Sequence, residues 1–157
     1  MQRDTDGCMM GCSVTGDVER EVEQDGFRTG VMTGHAYGII DVFELEDPDM
    51  TNPRKTHRML RIRNPWGKME WRGKWSDTSE EMEKYWHLIE KYIMEQPEDE
   101  RFSPGEDGSF LMCYSDWRDV YNNLFVSVDF PDIWTAVRFE SEFTDKCSGG
   151  TPSPFNE

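Results

Sequence analysis

The sequence predicts a folded domain that combines β-strands with α-helices. Apolar and polar residues alternate over residues 31–45 and again over 58–64, as is typical of strands. Between Thr78 and Pro97, apolar residues recur three or four positions apart, as on one face of a helix. Aromatic residues make up 13% of the 157-residue chain, and a chain of this length buries roughly two thirds of its unfolded surface. One domain with a real core is therefore expected, and disorder throughout is disfavoured.

The net negative charge of the chain disfavours anionic binding partners. Seventeen Lys and Arg residues stand against 32 Asp and Glu residues, which gives a net charge of −15. Such a surface repels phosphate backbones and anionic membranes, so nucleic-acid binding is disfavoured. No apolar run approaches membrane-spanning length. An acidic surface does suit hard cations, provided that several oxygens converge.

The four cysteines are Cys8, Cys12, Cys113 and Cys147, and their spacing matches no paired zinc motif. The first residues are polar and no apolar stretch of a signal peptide follows them. Reduced thiols in a cytoplasmic protein are therefore expected. A metal half-site at Cys8 and Cys12 is the alternative, but no His or Cys partner lies near them in the sequence.

The elements follow in chain order. Residues 1–12 show no periodicity and residues 14–27 are acidic, so both stretches are predicted as loops, the second exposed. In the strand over 31–45, one face carries His35, Tyr37, Ile39, Asp41 and Phe43, and the other carries Ala36, Gly38, Ile40 and Val42.

The second strand, 58–64, places Leu60, Ile62 and Asn64 on one face, which points Asn64 into the core. Pro65 cannot continue the hydrogen-bonded ladder, so the strand ends at the asparagine. An unpaired buried amide costs roughly 1–3 kcal/mol. Asn64 therefore needs a partner.

The remaining elements are one clear helix and several shorter segments. Thr78-Ser79-Glu80-Glu81 has the form of a capping box, and Pro97 ends the helix. Its predicted apolar stripe is Met82, Trp86, Ile89 and Ile93. Further predictions are a strand through Phe110, Met112 and Tyr114, a short helix over 115–122 capped by Ser115, a strand through Leu124, Val126 and Val128, a boundary near 129–132, and a new strand-like segment over 134–143.

Two polar side chains in the predicted strands suggest chemistry. Asn64 follows His35 by 29 positions, each on a strand. A thiol protease needs a thiolate, an imidazole that moves a proton, and a third group that fixes the imidazole tautomer. An asparagine oxygen can accept the Nδ1–H of the ring and leave Nε2 facing the sulfur. Alone, the pair is also compatible with a structural histidine and an Asn-Pro turn.

The residue motifs around His35 and Asn64 distinguish between these two interpretations. Gly34-His35-Ala36-Tyr37, Arg61-Ile62-Arg63-Asn64-Pro65-Trp66-Gly67, Glu70-Trp71 and Gly73-Lys74-Trp75-Ser76-Asp77 together resemble the calpain family of calcium-dependent cysteine proteases. Gly11-Cys12-Ser13, Asp107-Gly108-Ser109-Phe110 and Met112 resemble the same family in the same order. The similarity runs from about Gly11 to Asp129. It covers the second half of the protease core.

The resemblance implies a fold and several roles. The fold is the papain-like α+β class, specifically the antiparallel, barrel-like second half-domain with one or two helices. His35 would be the general base and acid, and Asn64 would orient it. Trp66 would shield the pair and separate the half-domains without calcium. Gly34 would lie against substrate backbone, and the 17–27 loop would gate the cleft.

The resemblance also implies a calcium site. Glu70, Asp77 and Asp107 match the family's acidic ligands, and Gly105 would offer its carbonyl. Ser109 stands where an acid is usual, which weakens the expected site because calcium takes six to eight oxygens. The competing interpretation is that Asp77 only caps the following helix.

No segment matches the family's nucleophile, and Cys12 falls on a structural position of the family. The chain is therefore expected to be the His/Asn half of a calpain-like endopeptidase, present as a fragment and inactive alone. Residues 1–131 would form that half, and 132–157 would begin a β-sandwich domain. Its partners would be the Cys-bearing half-domain and protein substrates. The alternative is a non-catalytic module that binds calcium or a protein.

Overall fold

The computed structural model describes residues 9–48 and 56–127, together with the single positions 135, 137 and 140. Its strands are β1 (Met10–Ser13), β2 (Glu21–Gln24), β3 (Phe27–Met32), β4 (Ala36–Glu46), β5 (Thr56–Arg63), β6 (Ser109–Cys113) and β7 (Asn123–Val126). Its helices are α1 (Glu80–Lys84), α2 (Trp86–Met94) and α3 (Tyr114–Val120), with a 3₁₀ turn at Glu98–Glu100. Five strands form an antiparallel sheet in the order β6-β5-β4-β1-β7, and β2 pairs with β3. The predicted α+β class is confirmed, with three α-helices in the described part rather than one or two.

The sheet is covered on both faces. Phe110 and Met112 belong to one apolar cluster, which includes Tyr37 and Ile62, whereas Leu111 between them belongs to a second cluster around Ile89. Successive residues of a strand point to opposite faces, so β6 supplies both clusters. The predicted strand through Phe110 and Met112 is present. Tyr114, however, begins α3 instead of extending the strand.

The N-terminal stretch is the main error of the sequence interpretation. Residues 10–12, predicted as part of a loop, belong to β1, which lies between β4 and β7. At Gly11, a Cβ would lie 3.1 Å from the Tyr37 carbonyl oxygen, and Cys12 is fully buried. The backbone pairs on both sides, so the strand forms without an alternating side-chain pattern.

The predicted exposed loop over 14–27 is partly a hairpin. β2 pairs with β3 through a turn at Asp25 and Gly26, whose φ angles of 51° and 79° suit a two-residue hairpin turn. Glu21 pairs with Arg28 at 3.1 Å and with Arg72 at 3.2 Å, which ties the hairpin to the chain after β5. Only residues 14–20 retain the predicted loop character.

The strand predicted over 31–45 is interrupted. The chain leaves β3 at Met32 and enters β4 at Ala36 through a turn in which Gly34 has a φ of 63°. Tyr37 and Ile39 are buried on one face, as predicted. Beyond Ile39 the register against β5 shifts, so the single predicted face does not continue to Phe43.

The helix prediction needs three corrections. Ser79, not Thr78, is the N-cap, and its hydroxyl accepts a 3.1 Å hydrogen bond from Met82 N–H. The helix breaks at Tyr85, which rotates the buried face. Trp86 is consequently 37% exposed, and the buried residues are Met82, Tyr85, Ile89 and Tyr92.

Further differences lie at the C-terminal end. The N-cap of α3 is Cys113, without a side-chain cap, so Ser115 does not begin that helix. Val128 and the predictions for 129–143 lie outside the described residues, apart from three isolated positions. Within the described ranges, no helix has the length and apolar character needed to cross a membrane.

Candidate active site and acidic loops

Strand pairing brings His35 and Asn64 together. His35 lies just before β4, Asn64 lies just after β5, and the two strands pair side by side with Gly38 opposite Arg63. His35 Nε2 is 2.9 Å from Asn64 Oδ1. Both residues are buried, with Asn64 at 0% exposure, as the strand parity predicted. The amide therefore has the partner that its burial requires.

The orientation of the Asn64 amide is set by four contacts. Its Nδ2 donates to the carbonyl oxygens of Lys68 at 2.6 Å and Met69 at 3.0 Å. Oδ1 therefore faces the histidine, and it also accepts the backbone N–H of Trp66 at 3.0 Å. An oxygen in this position can only accept, so His35 Nε2 carries a proton and donates it.

The identity of the ring nitrogens corrects the sequence interpretation. The expected arrangement joined Nδ1 to Asn64 and left Nε2 for the sulfur, but the structure reverses the two. His35 Nδ1 instead lies 3.4 Å from Glu19 Oε1. Strand parity fixes which side chains meet, whereas the ring rotamer depends on the turn at Gly34 and on neighbours that parity does not reveal.

Two aromatic rings enclose the imidazole. The Trp66 indole lies 4.2 Å from it, centroid to centroid, at 40°. Tyr37 meets it edge-on at 4.9 Å and 88°. Tyr37 accepts the Met32 N–H through its hydroxyl oxygen at 2.8 Å, and burial raises the pKa of that hydroxyl to about 12. These rings lie against a buried imidazole and beside a fully buried Asn64, while Trp66 itself stays 42% exposed. A hydrogen bond in such a low-dielectric setting is stronger than one in water.

Gly34 lies beneath the segment formed by residues 14–20, which we term the covering segment. Gly34 N–H donates to the Val14 carbonyl oxygen at 2.8 Å. A Cβ at Gly34 would lie 2.9 Å from the Gly16 carbonyl oxygen, so glycine is required by contact as well as by its φ of 63°. The residue predicted to meet substrate backbone therefore meets its own chain.

The cysteines near this sheet are not activated. Cys12 is fully buried in β1, and burial raises the pKa of its thiol to about 11. Burial also raises the pKa of the half-buried Cys113 thiol. Nucleophilic cysteines need the opposite shift. Neither described thiol has the lowered pKa of a nucleophilic cysteine, and Cys8 and Cys147 lie outside the described residues.

The predicted calcium ligands tie two loops together. Glu70 Oε1 accepts the backbone N–H groups of Asp107 at 3.0 Å and Gly108 at 2.7 Å. Asp77 Oδ2 accepts the N–H of Gly105. The Gly105 carbonyl oxygen accepts the Asp107 N–H at 2.8 Å. The structure thus brings the four predicted ligands into neighbouring loops.

The electrostatics of these loops are those of crowded acids. Burial raises the pKa values of both Glu70 and Asp77, and the Asp107 carboxylate adds to each rise. Asp77 Oδ1 is buried without a hydrogen-bond partner. In the ranges that the structure describes, no three His, Cys, Asp or Glu side chains already converge to hold a metal ion. The alternative role of Asp77 as a helix cap is wrong, since Ser79 caps α1.

Ser109 supplies no carboxylate to the loops. It is buried, its N–H donates to Asp107 Oδ1 at 2.7 Å, and its hydroxyl contacts Arg63 at 3.3 Å.

Sequence reasoning missed Glu19, the residue at His35 Nδ1. Five acids lie between Asp17 and Asp25, and nothing in their spacing distinguishes this one. The carbonyl groups of Lys68 and Met69 were also missed, because backbone acceptors leave no signal in the side-chain sequence.

Comparison with known proteins identifies the family. Residues 1–128 match the family described as calpain family cysteine protease. Calpain-8 of Mus musculus is 32% identical over 153 residues, covering 92% of this chain and 20% of the relative. The calpain-1 catalytic subunit of Rattus norvegicus is 32% identical over 126 residues, covering 80% and 16% respectively. Calpain-B of Drosophila melanogaster is 31% identical over 162 residues, covering 92% and 16%. The chain spans a fifth or less of these relatives, and with its family match over residues 1–128 it belongs to the calpain family of cysteine proteases.

Proposed function

We propose that residues 1–131 form the His/Asn half of a calcium-dependent cysteine endopeptidase that performs limited proteolysis of protein substrates. One observation carries this proposal. His35 Nε2 donates to an Asn64 oxygen whose orientation two backbone carbonyl groups fix, which leaves Nδ1 as the nitrogen that exchanges protons. A proton shuttle built this way serves a thiol nucleophile.

The nucleophile would come from the Cys-bearing half-domain, a partner outside this chain. Its thiolate attacks the peptide carbonyl carbon and forms a C–S bond. The C–N bond breaks as His35 Nδ1 gives its proton to the leaving amine. A water molecule then attacks the thioester, His35 takes up a proton, and the thiolate and the acid product separate. Asn64 holds the ring through both steps.

Two neighbours would assist the proton transfer. Trp66 covers one face of the imidazole and limits water there. Its exposed part would contact the other half-domain and separate the halves in the absence of calcium. Gly34 would contact substrate backbone after the covering segment moves aside.

Calcium would be held by Glu70, Asp77 and Asp107, together with the Gly105 carbonyl. These groups fit a hard cation: all are oxygen donors, the carboxylates repel one another, and Asp77 Oδ1 has no other hydrogen-bond partner. A bound ion would neutralise the acids and fix the two loops. The described side chains would need to converge further to complete the shell.

A chimeric enzyme tests the proposed activity. Residues 1–131 replace the aligned segment of the rat calpain-1 catalytic subunit, and casein hydrolysis is measured with and without calcium. We expect calcium-dependent hydrolysis that falls about 10³-fold or more in His35→Ala. The parent enzyme with its own segment is the matched control. A folded chimera no more active than its His35→Ala variant would contradict the proposal.

The second candidate is a non-catalytic module that binds calcium or a protein partner. The burial of Cys12 favours this candidate. Burial raises the pKa of the Cys12 thiol to about 11, so this cysteine is not suited to act as the nucleophile. Sequencing the transcript upstream of the Met1 codon tests this candidate. A stop codon in frame, with no segment that encodes a nucleophilic cysteine, would support the non-catalytic module.

Two further proposals concern context. We place the enzyme in the cytoplasm, which accords with free thiols at Cys12 and Cys113. We also propose that residues 132–157 begin a β-sandwich domain. Expressing residues 1–131 alone tests the second point, because an independent core should unfold with the same midpoint as the whole chain.

A further inference from the structure

We propose that Glu19 acts as an internal inhibitory counter-ion, which occupies the side of His35 that the nucleophilic thiolate must reach. This inference rests on the proposed protease function and adds to it a specific autoinhibitory contact. It concerns one carboxylate among the acids of residues 17–25.

The geometry leaves Nδ1 as the only available nitrogen. Nε2 donates to Asn64 at 2.9 Å and is buried with it. Glu19 Oε1 lies 3.4 Å from Nδ1. A thiolate that pairs with His35 must therefore approach the nitrogen that Glu19 now faces. The two anions cannot occupy one position.

Hydrogen bonds between Thr33 and the two neighbours of Glu19, Val18 and Arg20, fix the position of Glu19. Thr33 Oγ1 donates to the Val18 carbonyl oxygen at 2.7 Å, and Arg20 N–H donates to Thr33 Oγ1 at 3.1 Å. Thr33 N–H also donates to the Arg20 carbonyl oxygen at 2.8 Å. These bonds hold residues 18 and 20 beside the turn that precedes His35, so Glu19 between them is directed at the ring.

The contact is favourable in one protonation state only. With a proton on Nε2, a neutral ring presents a lone pair at Nδ1, which repels a carboxylate. A second proton on Nδ1 makes the contact an ion pair. Among the described residues, the other groups in contact with the ring are Tyr37, Trp66 and Asn64, which carry no charge. A carboxylate at Nδ1 therefore occupies the place that the thiolate must reach.

Displacement does not require unfolding. The Glu19 side chain is 47% exposed, so it can rotate into water while the backbone bonds of the covering segment remain. An arriving thiolate would compete for the same proton in a drier site, where its charge interacts more strongly.

Chemical modification of the intact chain tests this directly. Diethylpyrocarbonate acylates unprotonated imidazole nitrogens, and Nδ1 is the nitrogen of His35 that is not bonded to Asn64. Peptide mapping by mass spectrometry gives the rate for each histidine, with exposed His87 as the internal reference for the reagent. We expect His35 to react at least threefold faster in Glu19→Gln than in the wild type. The wild-type rate should also rise with added salt, which screens the ion pair.

Two controls separate charge from damage. Glu23→Gln removes an exposed carboxylate of β2 and should leave the His35 rate unchanged. His57, whose Nε2 is buried, reports an intact fold by reacting at the same rate in every variant. Equal His35 rates in Glu19→Gln and the wild type would overturn the inference.

The chimera then distinguishes this inference from the proposed function. In an active chimera, Glu19→Gln should raise kcat/KM at least threefold and Glu23→Gln should not. An active chimera in which Glu19→Gln has no effect refutes inhibition by Glu19 and leaves the protease function standing. An inactive chimera refutes the protease function, and the modification rates still decide whether Glu19 blocks Nδ1.

Discussion

The backbone N–H of Trp66 donates a 3.0 Å hydrogen bond to Asn64 Oδ1, the same oxygen that receives His35 Nε2. The residue whose indole packs against the imidazole thus also holds the Asn64 amide through its backbone. Pro65 lies between the two, ends the strand and allows this turn. Shielding and orientation are therefore properties of one tight turn.

Asn64→Ala should reduce the free energy of unfolding by about 2–4 kcal/mol, because it leaves several buried polar groups without their partner. Urea titration followed by tryptophan fluorescence measures the change. Asn122→Ala, at an exposed amide, should cost about 1 kcal/mol or less. Equal losses in both variants would show that the Asn64 network is not a special source of stability.

Cys12 should resist alkylation at pH 8 in the folded chain, because a thiol with a pKa of about 11 is only about 0.1% thiolate there. Iodoacetamide treatment with mass mapping follows each cysteine separately, and Cys113 should react faster because it is only half-buried. In urea the two should react alike. Rapid labelling of Cys12 in the folded chain would contradict its place at the centre of the sheet.

The same thiol makes stability depend on pH. The Cys12 pKa is raised in the folded state, so its contribution is complete below the unfolded pKa near 9 and declines as pH rises to about 11. The loss should reach about 2–3 kcal/mol for Cys12. Cys12→Ala should flatten this part of the curve, measured by urea titration between pH 8.5 and 11. An unchanged slope would assign the loss to tyrosines such as Tyr37.

Calcium at 10 mM should raise the Tm of the wild type by several degrees, since saturating a site with a dissociation constant of about 0.1 mM adds about 2.7 kcal/mol. Asp77→Asn should abolish the rise, because it removes the negative charge of the carboxylate whose Oδ1 has no hydrogen-bond partner. Differential scanning calorimetry makes the measurement, with 10 mM magnesium as the ionic control. Glu83→Gln, a nearby exposed acid, is the matched variant and should behave as the wild type.

Without calcium, Asp77→Asn should be neutral or stabilising at pH 7. Burial and the Asp107 charge raise the pKa of Asp77, so the charged carboxylate destabilises the folded state. The free energy of unfolding should therefore increase as the pH falls and Asp77 takes up a proton. An asparagine oxygen can still accept the Gly105 N–H. Urea titration at pH 5 and pH 7 should show a smaller gain in the variant than in the wild type on acidification.

Features of the fold that depend on the pattern of apolar and polar side chains could be predicted from the sequence, whereas features set by the backbone could not. The alternation of Leu60, Ile62 and Asn64 correctly predicted burial, because both faces of β5 are covered and its pairing with β6 is regular. At Ile39 the same reasoning failed, since a shift between paired strands changes the faces without leaving a trace in the residue pattern.

The site was predictable in its pairing and not in its details. The positions of His35 and Asn64 on neighbouring strands, together with the family strings around them, predicted that the two residues meet. Which end of the amide faces the ring depended on backbone carbonyl groups at Lys68 and Met69, and the contact at His35 Nδ1 depended on the path of residues 14–20. These are backbone properties, to which residue periodicity is insensitive.

The central place of β1 has a consequence for how this domain folds. β1 pairs with β7, whose partners lie more than a hundred residues away in sequence, as in the pair of Met10 and Val126. Such a closure is entropically slow, so β7 should join the sheet late in folding. β1 pairs with β4 within about 30 residues, as in the pair of Met10 and Ile39, so that contact can form earlier. Until β7 joins, β1 is an open edge that can pair with another chain. The arrival of the distant β7 therefore protects β1 from aggregation.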